Sequence, residues 1–321
     1  MVVILRKRLI AYCDGGLGNR LNALIGALYF ARELDLDLLI SWPINRWCSA
    51  GFDELFDSPY QSNDWGIPDI NALSLSCLLV AHEQQVFNLP CAYNPNQWLS
   101  AVHLFSKLRL GLRDYSGLIY YNNIVPGYIR SIEIKSIILP IRVKNEYRKA
   151  ADIWLAEMGL CCKSYWGLHL RGSDMHFSRL YYGFWFAVAC LLPGPIVLCT
   201  DDYHIEERFL RIHKVVRRPA AALPQKANQN LSWNHENHDE YGRKFAFNVY
   251  RSAAVIRESL IDFEILCRSC IITTSGSTFL ANAIRFSGGN SFSSNLHTIA
   301  RFFSYASKYL SAAAIKLMRV D

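Results

Sequence analysis

A strand that runs into a cluster of glycines and then directly into a helix leaves a chain few folds to choose from. Residues 9–40 read that way. Leu9-Ile-Ala-Tyr-Cys13 is a short apolar run suited to a buried strand, and Asp14-Gly15-Gly16-Leu17-Gly18 stops it. Leu21, Leu24, Ile25, Leu28 and Tyr29 then recur at the spacing of one helical face. Leu36 to Ile40 follows as a second apolar run, too short for a helix and ended by Trp42-Pro43. Strand, glycine turn, helix and strand make a βαβ unit, which commits the chain to a parallel sheet.

The same cadence returns after residue 160. Strands are expected at 165–169, 195–200, 214–216 and 270–273, and helices at 179–192, 203–213, 248–269 and 278–286. A helix is also expected within 139–160, from Tyr147, Ala150, Trp154 and Leu155. Residues 43–130 carry short apolar runs, Ser74 to Val80 and Leu118 to Tyr121, between Pro, Asn, Asp and Gly, and the polar stretch 220–244 has no periodicity. The expected organisation is an α/β chain with one domain over 1–160, a second over 161–297, and a helix over 298–321. That helix places Ile299, Phe302, Phe303, Ala306, Tyr309, Leu310 and Ala313 on one stripe, with Arg301, Lys308, Lys316 and Arg319 elsewhere. A basic amphipathic pattern of this kind packs against a protein core or lies on an anionic membrane surface.

A length of 321 residues is enough for two cores, and 51% hydrophobic against 19% charged residues excludes wholesale disorder. Charged residues interrupt every apolar stretch before it reaches the roughly 18 residues of a membrane span. The amino-terminal MVVILRKRLIAYC has its apolar and basic parts in the wrong order for a secretory signal, so a cytoplasmic chain, or one trimmed of its leader, is expected. Thirty-four Lys and Arg against 27 Asp and Glu give a net charge of +7, which suits phosphates or nucleotide sugars. The basic residues are dispersed rather than clustered, so nucleic acid is not an expected partner. Most of the ten cysteines stand singly in apolar runs (Cys13, Cys77, Cys190, Cys199), the pattern of reduced, buried thiols. Cys267-x-x-Cys270 is half of a zinc pattern without its other half, and no metal is expected.

Four turns carry candidate chemistry, each at the carboxyl end of an expected strand, where open parallel sheets bind ligands. In the first, Gly16 and Gly18 let backbone N–H groups approach a phosphate at a helix amino terminus. A dinucleotide fingerprint would need a further glycine where Leu21 stands and an acid where Ser41-Trp42 stand, so NAD fits poorly. In the second, His169-Leu-Arg171-Gly-Ser173-Asp174 offers a guanidinium fork for a diphosphate beside an imidazole, or an Arg171–Asp174 pair that fixes the loop. In the third, Asp201 can accept from ribose hydroxyls or a base, or the pair Asp201-Asp202 caps the following helix. In the fourth, Ser275, Ser277 and Thr278 offer hydroxyl and backbone donors to phosphate oxygens, with N-capping by Ser277 compatible. His235-x-x-His238-Asp239 reads as solvated loop, and Asp35-x-Asp37 precedes its strand rather than following it.

Taken in order, YCDGGLGNRLNALIGALYFARELDLDLLISW, GLHLRGSD, IVLCTDD and LIDFEILCRSCIITTSGSTF resemble the fucosyltransferase superfamily. That superfamily includes protein O-fucosyltransferases, α1,6-fucosyltransferases and the rhizobial nodulation fucosyltransferase. The resemblance runs from residue 12 to about residue 286 and is carried most by HLRGSD. It implies a GT-B architecture, two Rossmann-like domains facing a cleft, with the acceptor on the amino-terminal side and the nucleotide sugar on the other. It further implies inverting transfer of fucose from GDP-fucose to a hydroxyl of a glycan or glycolipid, with no metal and no other cofactor. By resemblance Arg171 holds the β-phosphate, Asn19 is the active-site asparagine, and His169, Asp174, Asp262, Ser275, Ser277 and Thr278 contact the nucleotide. Asp14 is a candidate base by position, and a mechanism without a base, led by stabilisation of the leaving group, is the alternative. The α1,6 enzymes carry a second arginine where this chain has Gly172. Another GDP- or UDP-hexose donor, or a sugar-nucleotide or glycan-binding protein without turnover, stays open. So does peripheral contact with the inner face of a membrane through 298–321.

Overall fold

The computed structural model describes residues 8–64, 77–81, 98–100, 117–121, 125, 129, 131–172, 179–226, 228, 237–238, 244–245, 248–272, 277–287 and 291–292. The elements in chain order begin with β1 (Arg8–Tyr12), α1 (Leu17–Glu33), β2 (Asp37–Ser41), α2 (Phe52–Leu55), β3 (Phe56–Asp57) and β4 (Gln61–Asn63). Next come β5 (Cys77–Ala81), β6 (Trp98–Ser100), β7 (Gly117–Tyr121), α3 (Ser131–Ile138), β8 (Arg142–Val143) and α4 (Asn145–Glu157). Then follow β9 (Trp166–Leu170), α5 (Arg179–Leu191), β10 (Ile196–Thr200), α6 (Tyr203–Phe209), β11 (Val215–Val216), β12 (Asn237–His238) and β13 (Lys244–Phe245). The last are α7 (Ala253–Arg268), β14 (Cys270–Ile272), α8 (Thr278–Phe286) and β15 (Ser291–Phe292). The chain divides into two compact units, Met1–Asn145 with Arg251–Arg257, and Glu146–Tyr250 with Glu258–Asp321.

The first unit holds a six-stranded sheet in the order β4-β2-β1-β7-β5-β6, parallel throughout. β1 is its centre, with Leu9 opposite Leu38 on one side and Leu118 on the other. The expected βαβ unit is therefore present, and the runs around 74–80 and 118–121 supply β5 and β7. α1 packs on β1, β2 and β7 and is buried nearly all the way round, from Leu17 to Ala31, rather than along one stripe. Its sequence allows this because Ala, Leu, Gly, Tyr and Phe fill the positions that a surface helix gives to charge. Beyond β2, Trp42 stacks with Phe52 and Phe56 at centroid distances of 5.3 and 5.9 Å, and its Nε1 donates to the Ala50 carbonyl at 3.1 Å. Fully burying such side chains contributes roughly 1.5–3 kcal/mol each.

The second unit is a five-stranded parallel sheet ordered β11-β10-β9-β14-β15. Every residue of β10 is buried, as a strand covered on both faces requires. Leu168, Leu170, Ile196 and Leu198 of the sheet meet Tyr181, Trp185 and Ala189 of α5, and Ile205 and Phe209 of α6. In this unit α7 buries Leu260 and Phe263 and is tied at its far end: Lys163 Nζ donates to the carbonyls of Cys267 and Ser269 at 3.2 and 2.7 Å. A cation there satisfies carbonyls that the helix leaves open.

Three expectations shift. The helix expected within 139–160 is α4 alone, with Tyr147, Ala151 and Leu155 inward. Pro140 ends α3 and bends the chain into β8, since proline lacks the N–H and clashes in a helix interior. α4 falls in the second unit, where Arg268 Nε meets Asp152 at 2.7 Å, and the division comes at 145/146 and not near 160. α7 begins at Ala253 rather than 248: Tyr250 exchanges both backbone hydrogen bonds with Gln225, and the Arg251 amide donates to the Arg46 carbonyl at 2.8 Å. Residues 251–257 thereby belong to the first unit, where Arg257 also meets Glu54 at 2.8 Å.

Cys13, Cys48 and Cys199 are buried as free thiols, and burial raises Cys13 to about 12. Cys190 is exposed, contrary to expectation, because it lies on the outer side of α5 beside exposed Leu191. Among the described residues no cluster of His, Cys, Asp or Glu is arranged to hold a metal, and no helix is long and apolar enough to cross a membrane. The expected helix over 298–321 lies outside the described residues, as do His235 and Asp239.

Gly167, in the middle of β9, permits the closest approach of sheet and helix. A Cβ there would lie 2.2 Å from Ser269 Oγ and 2.8 Å from Ser269 Cβ. Gly167→Ala is expected to lower the unfolding free energy by roughly 1–3 kcal/mol, the cost of overpacking. Ser269→Gly in the same chain should return part of it. Denaturant midpoints of the single and double variants check this.

Candidate functional site

Parallel sheets deliver their strand ends to one edge, and the strand order fixes where that edge opens. In the first unit the chain leaves β1 for β2 on one side and returns as β7 on the other. In the second, β9 stands between β10 and β14. Such reversals of order are where open α/β sheets bind ligands. Arg171 follows β9 directly, and the Asp14 turn follows β1 after one intervening residue.

At the end of β1 the turn is built on Gly15, whose φ of +84° favours glycine. Gly16 precedes α1 with extended backbone, and its carbonyl accepts from the amides of Asn19 and Arg20 at 2.9 and 3.1 Å. A Cβ on Gly16 would meet nothing within 4 Å, so the space above it is open, whereas Gly18 is buried in the first helical turn. The first turn of α1 carries no acidic residue and no side-chain cap, which leaves its amide charge uncompensated. Beneath the turn lies Arg20, 0% exposed. Its Nε donates to the Gly15 carbonyl at 2.7 Å, its Nη2 to Asn45 Oδ1 at 3.1 Å, and its guanidinium sits 5.0 Å from the Trp42 ring centroid. Asp14 Oδ1 accepts from the Gly15 amide at 2.6 Å and from Asn45 Nδ2 at 2.8 Å, with Arg20 Nη2 3.9 Å away. Neither Asp14 Oδ2 nor the Asn19 amide group makes a hydrogen bond among the described residues. Both are polar side-chain groups with capacity to spare beside an open glycine turn.

At the end of β9, Arg171 is held by its backbone: the Tyr182 hydroxyl of α5 donates to the Arg171 carbonyl at 3.0 Å. The next residue, Gly172, donates its amide to Asp201 Oδ1 at 2.8 Å, which ties the end of β9 to the end of β10. Asp202, not Asp201, caps α6, accepting from His204 and Ile205 amides at 2.8 and 3.2 Å. His169 stacks at 5.2 Å on Phe279 of α8, whose first turn is capped by Ser277 accepting from the Leu280 amide at 3.2 Å. Thr278 opens that helix. Asp174 and Ser275 lie outside the described residues.

Asp262 takes part in a charge cluster. Arg218 reaches Glu258 at 2.6 Å and Asp262 Oδ1 through both Nε (3.2 Å) and Nη2 (3.0 Å). Arg217 beside it pairs with Glu206 at 2.8 Å and donates to the Thr200 carbonyl. The Asp262 carboxyl is pushed above the usual carboxylate range by loss of solvent, against the pull of Arg218 and then Arg217. The same packing, with Asp262 nearby, drives the Cys199 thiol far up.

The structure thus brings Asp14, Gly16, Gly18 and Asn19 together on the first unit, and Arg171, Asp201, His169, Ser277 and Thr278 around β9 on the second. Asp262 stands in the Arg218 cluster. Sequence reasoning passed over Asn45, Tyr182 and Arg218, and gave Arg20 no role. The adjacent Arg217-Arg218 at a strand end was a usable signal, while Asn45 lies in a stretch without periodicity.

No protein-family model matches the chain, nor does any curated protein. Solved structures do. NodZ α1,6-fucosyltransferase co-crystallised with GDP aligns over 87% of this chain and 92% of its own at 17% identity and a TM-score of 0.56. Fucosyltransferase NodZ from Bradyrhizobium aligns over the same shares at 18% identity and a TM-score of 0.55. An Arabidopsis thaliana FUT1 variant in complex with GDP aligns over 88% of this chain and 69% of its own at 11% identity and a TM-score of 0.56. At these identities the likeness is one of fold: the chain has the α/β fold of these fucosyltransferases.

Arg218→Met should leave Glu258 and Asp262 without the arginine that joins them, with Arg217 acting on Asp262 only at longer range. The expected loss is about 3 kcal/mol of stability, the low end for a broken buried pair because both carboxylates keep some solvent. With Arg218 gone, Asp262 should titrate higher still, and carboxyl NMR titration of the two proteins reads the direction.

Proposed function

We propose that the protein is an inverting, metal-independent glycosyltransferase that moves fucose from GDP-fucose to a hydroxyl of a glycan or glycolipid. The observation that carries this reading is the end of β9, where Arg171 leaves the sheet beside a reversal of strand order with its backbone fixed by Tyr182 and its neighbour pinned to Asp201. That is the arrangement a diphosphate leaving group needs, in a fold shared with fucosyltransferases whose structures hold GDP.

The chemistry follows from charge. When the bond from the sugar C1 to the β-phosphate oxygen breaks, its electron pair goes to GDP, and negative charge grows on that phosphate. Arg171 and the amides of the Gly16–Gly18 turn meet the growing charge more strongly than they meet the bound donor, which lowers the barrier. This assigns to the protein the role that a cation would otherwise fill. The acceptor hydroxyl attacks C1 from the opposite face, and Asp14 takes its proton while Asn19 orients it. His169, Asp174, Asp262, Ser275, Ser277 and Thr278 serve the nucleotide, and Asp201 holds the Arg171 loop through Gly172. In this reading the second unit carries the donor, the first serves the acceptor, and the two face a cleft in the GT-B manner. A cytoplasmic enzyme acting on a lipid-linked glycan at the inner membrane face, through 298–321, is consistent with it.

Arg171→Ala is expected to lower turnover of GDP-fucose roughly 100- to 1,000-fold, the scale for losing one donor to a transition-state anion. Its melting temperature should stay within a degree or two of the parent. Thermal shifts with GDP, GDP-fucose, GDP-mannose, UDP, UDP-glucose and NAD test the donor class. Binding to the native state alone adds about 2.7 kcal/mol at one hundred times the dissociation constant. Shifts confined to the GDP compounds support the reading. A shift with UDP or NAD alone overturns the donor, and tight GDP binding without turnover overturns catalysis.

A further inference from the structure

Asn45 has one allowed orientation. Its Oδ1 accepts from the amides of Trp47 and Cys48 at 3.0 and 3.3 Å and from Arg20 Nη2 at 3.1 Å. Rotating the amide by half a turn would set an NH2 against two amide donors and a buried guanidinium, so the side chain is locked as built. Its Nδ2 therefore points at Asp14 and donates to Oδ1 at 2.8 Å. Asp14 Oδ1 is further taken by the Gly15 amide at 2.6 Å, and Arg20 Nη2 stands 3.9 Å off. One oxygen of the carboxylate is thus saturated with donors and fixed in place. The other carboxylate oxygen has no hydrogen bond among the described residues, and 22% of the side chain is exposed.

We infer that Asn45 is a positioning residue that, with Arg20, clamps the Asp14 carboxylate by Oδ1 and so presents Oδ2 to the acceptor. The inference rests on the transferase reading above. In the step itself the acceptor O–H bond breaks and its proton goes to Asp14 Oδ2. The acceptor oxygen forms its bond to C1 of fucose, and the C1–O bond to the β-phosphate breaks with its electron pair leaving on GDP. A carboxylate free to rotate would offer either oxygen in many poses, and a misplacement of about 1 Å in a reacting group can cost on the order of 100-fold. Arg20 contributes twice, by fixing Asn45 and by holding the Gly15 carbonyl that shapes the turn carrying Asp14.

The test is a double-mutant cycle on the full chain with Asn45→Ala, Asp14→Asn and both together. Release of GDP from GDP-fucose, with water or a supplied hydroxyl as acceptor, gives kcat and KM. Asn45→Ala is expected to lower kcat roughly 10- to 100-fold with KM for GDP-fucose within about twofold. In the Asp14→Asn background the same change should cost less than about twofold, because a residue that acts through Asp14 has nothing left to act on. Because Asn45→Ala also strips the 45–48 turn of its acceptor, Asn45→Asp is the companion. It keeps Oδ1 for the turn and Arg20 but replaces the donor to Asp14 with a like charge, so it should lose kcat at temperatures where its own unfolding curve shows it still folded. Losses that multiply in the double variant, or an Asn45→Asp protein with parental kcat, would overturn the role while the transferase reading stands. A parent chain that releases no GDP withdraws that reading, and the role with it.

Discussion

Parallel pairing of the central strands is the constraint from which the arrangement of polar groups follows. Hydrogen bonding of β1 to β2 and β7, and of β9 to β10 and β14, requires each return to cross over its sheet, so within each sheet the carboxyl ends collect on one edge. Between those ends the strands are mainly apolar, with His169 of β9 an exception. The residues with chemistry to offer have only the strand-end turns left to occupy. Asp14, Asn45, Arg171 and Asp201 all follow strands that are themselves almost wholly apolar.

The two units handle buried charge in different ways. In the first, one cation is placed fully out of water, and the chain surrounds Arg20 with a carbonyl, an amide oxygen, a carboxylate at 3.9 Å and the face of Trp42. No single partner neutralises it, so the charge is shared among groups that build the turn, and Nη1 stays without a hydrogen-bond partner among the described residues. Desolvation of a guanidinium is costly, and here two hydrogen bonds, the nearby Asp14 carboxylate and an aromatic face over the plane offset part of it. In the second unit charges come as contacts between unlike partners, Arg218 with Glu258 and Asp262, and Arg217 with Glu206. The first design fixes a local geometry, and the second fastens α7 and α6 to the segment that follows β11.

Legibility from sequence tracked the strength of local pattern. β10 was legible because Ile-Val-Leu-Cys-Thr is continuous and apolar, and α8 because Ser277 announces a cap before an apolar stripe. The break between α3 and β8 was overlooked although Pro140 marks it, because the helix read from Tyr147, Ala150, Trp154 and Leu155 was extended back to Leu139 across that proline. The division at 145/146 was not legible at all. It rests on contacts between segments distant in the chain, such as Arg268 with Asp152, which leave no local signature. The Asp14, Arg171 and Asp201 turns were legible as strand-to-helix junctions. Asn45 was not, since its four side-chain hydrogen bonds bring together a turn, a helix and a strand end.

Gly172 illustrates how a single backbone contact decides what chemistry a position can hold. Where the α1,6-fucosyltransferase pattern has a second arginine, this chain has a buried glycine whose hypothetical Cβ would lie 2.5 Å from both Cβ and Oδ2 of Asp202. The neighbouring amide hydrogen bond to Asp201 draws the end of β9 against the start of α6, and that closeness excludes any side chain. Asp202 cannot give way cheaply, because it caps α6 with two amide hydrogen bonds. Glycine here is therefore the consequence of tying two strand ends together directly. The same tie that removes room for a second cation also holds the backbone immediately beyond Arg171.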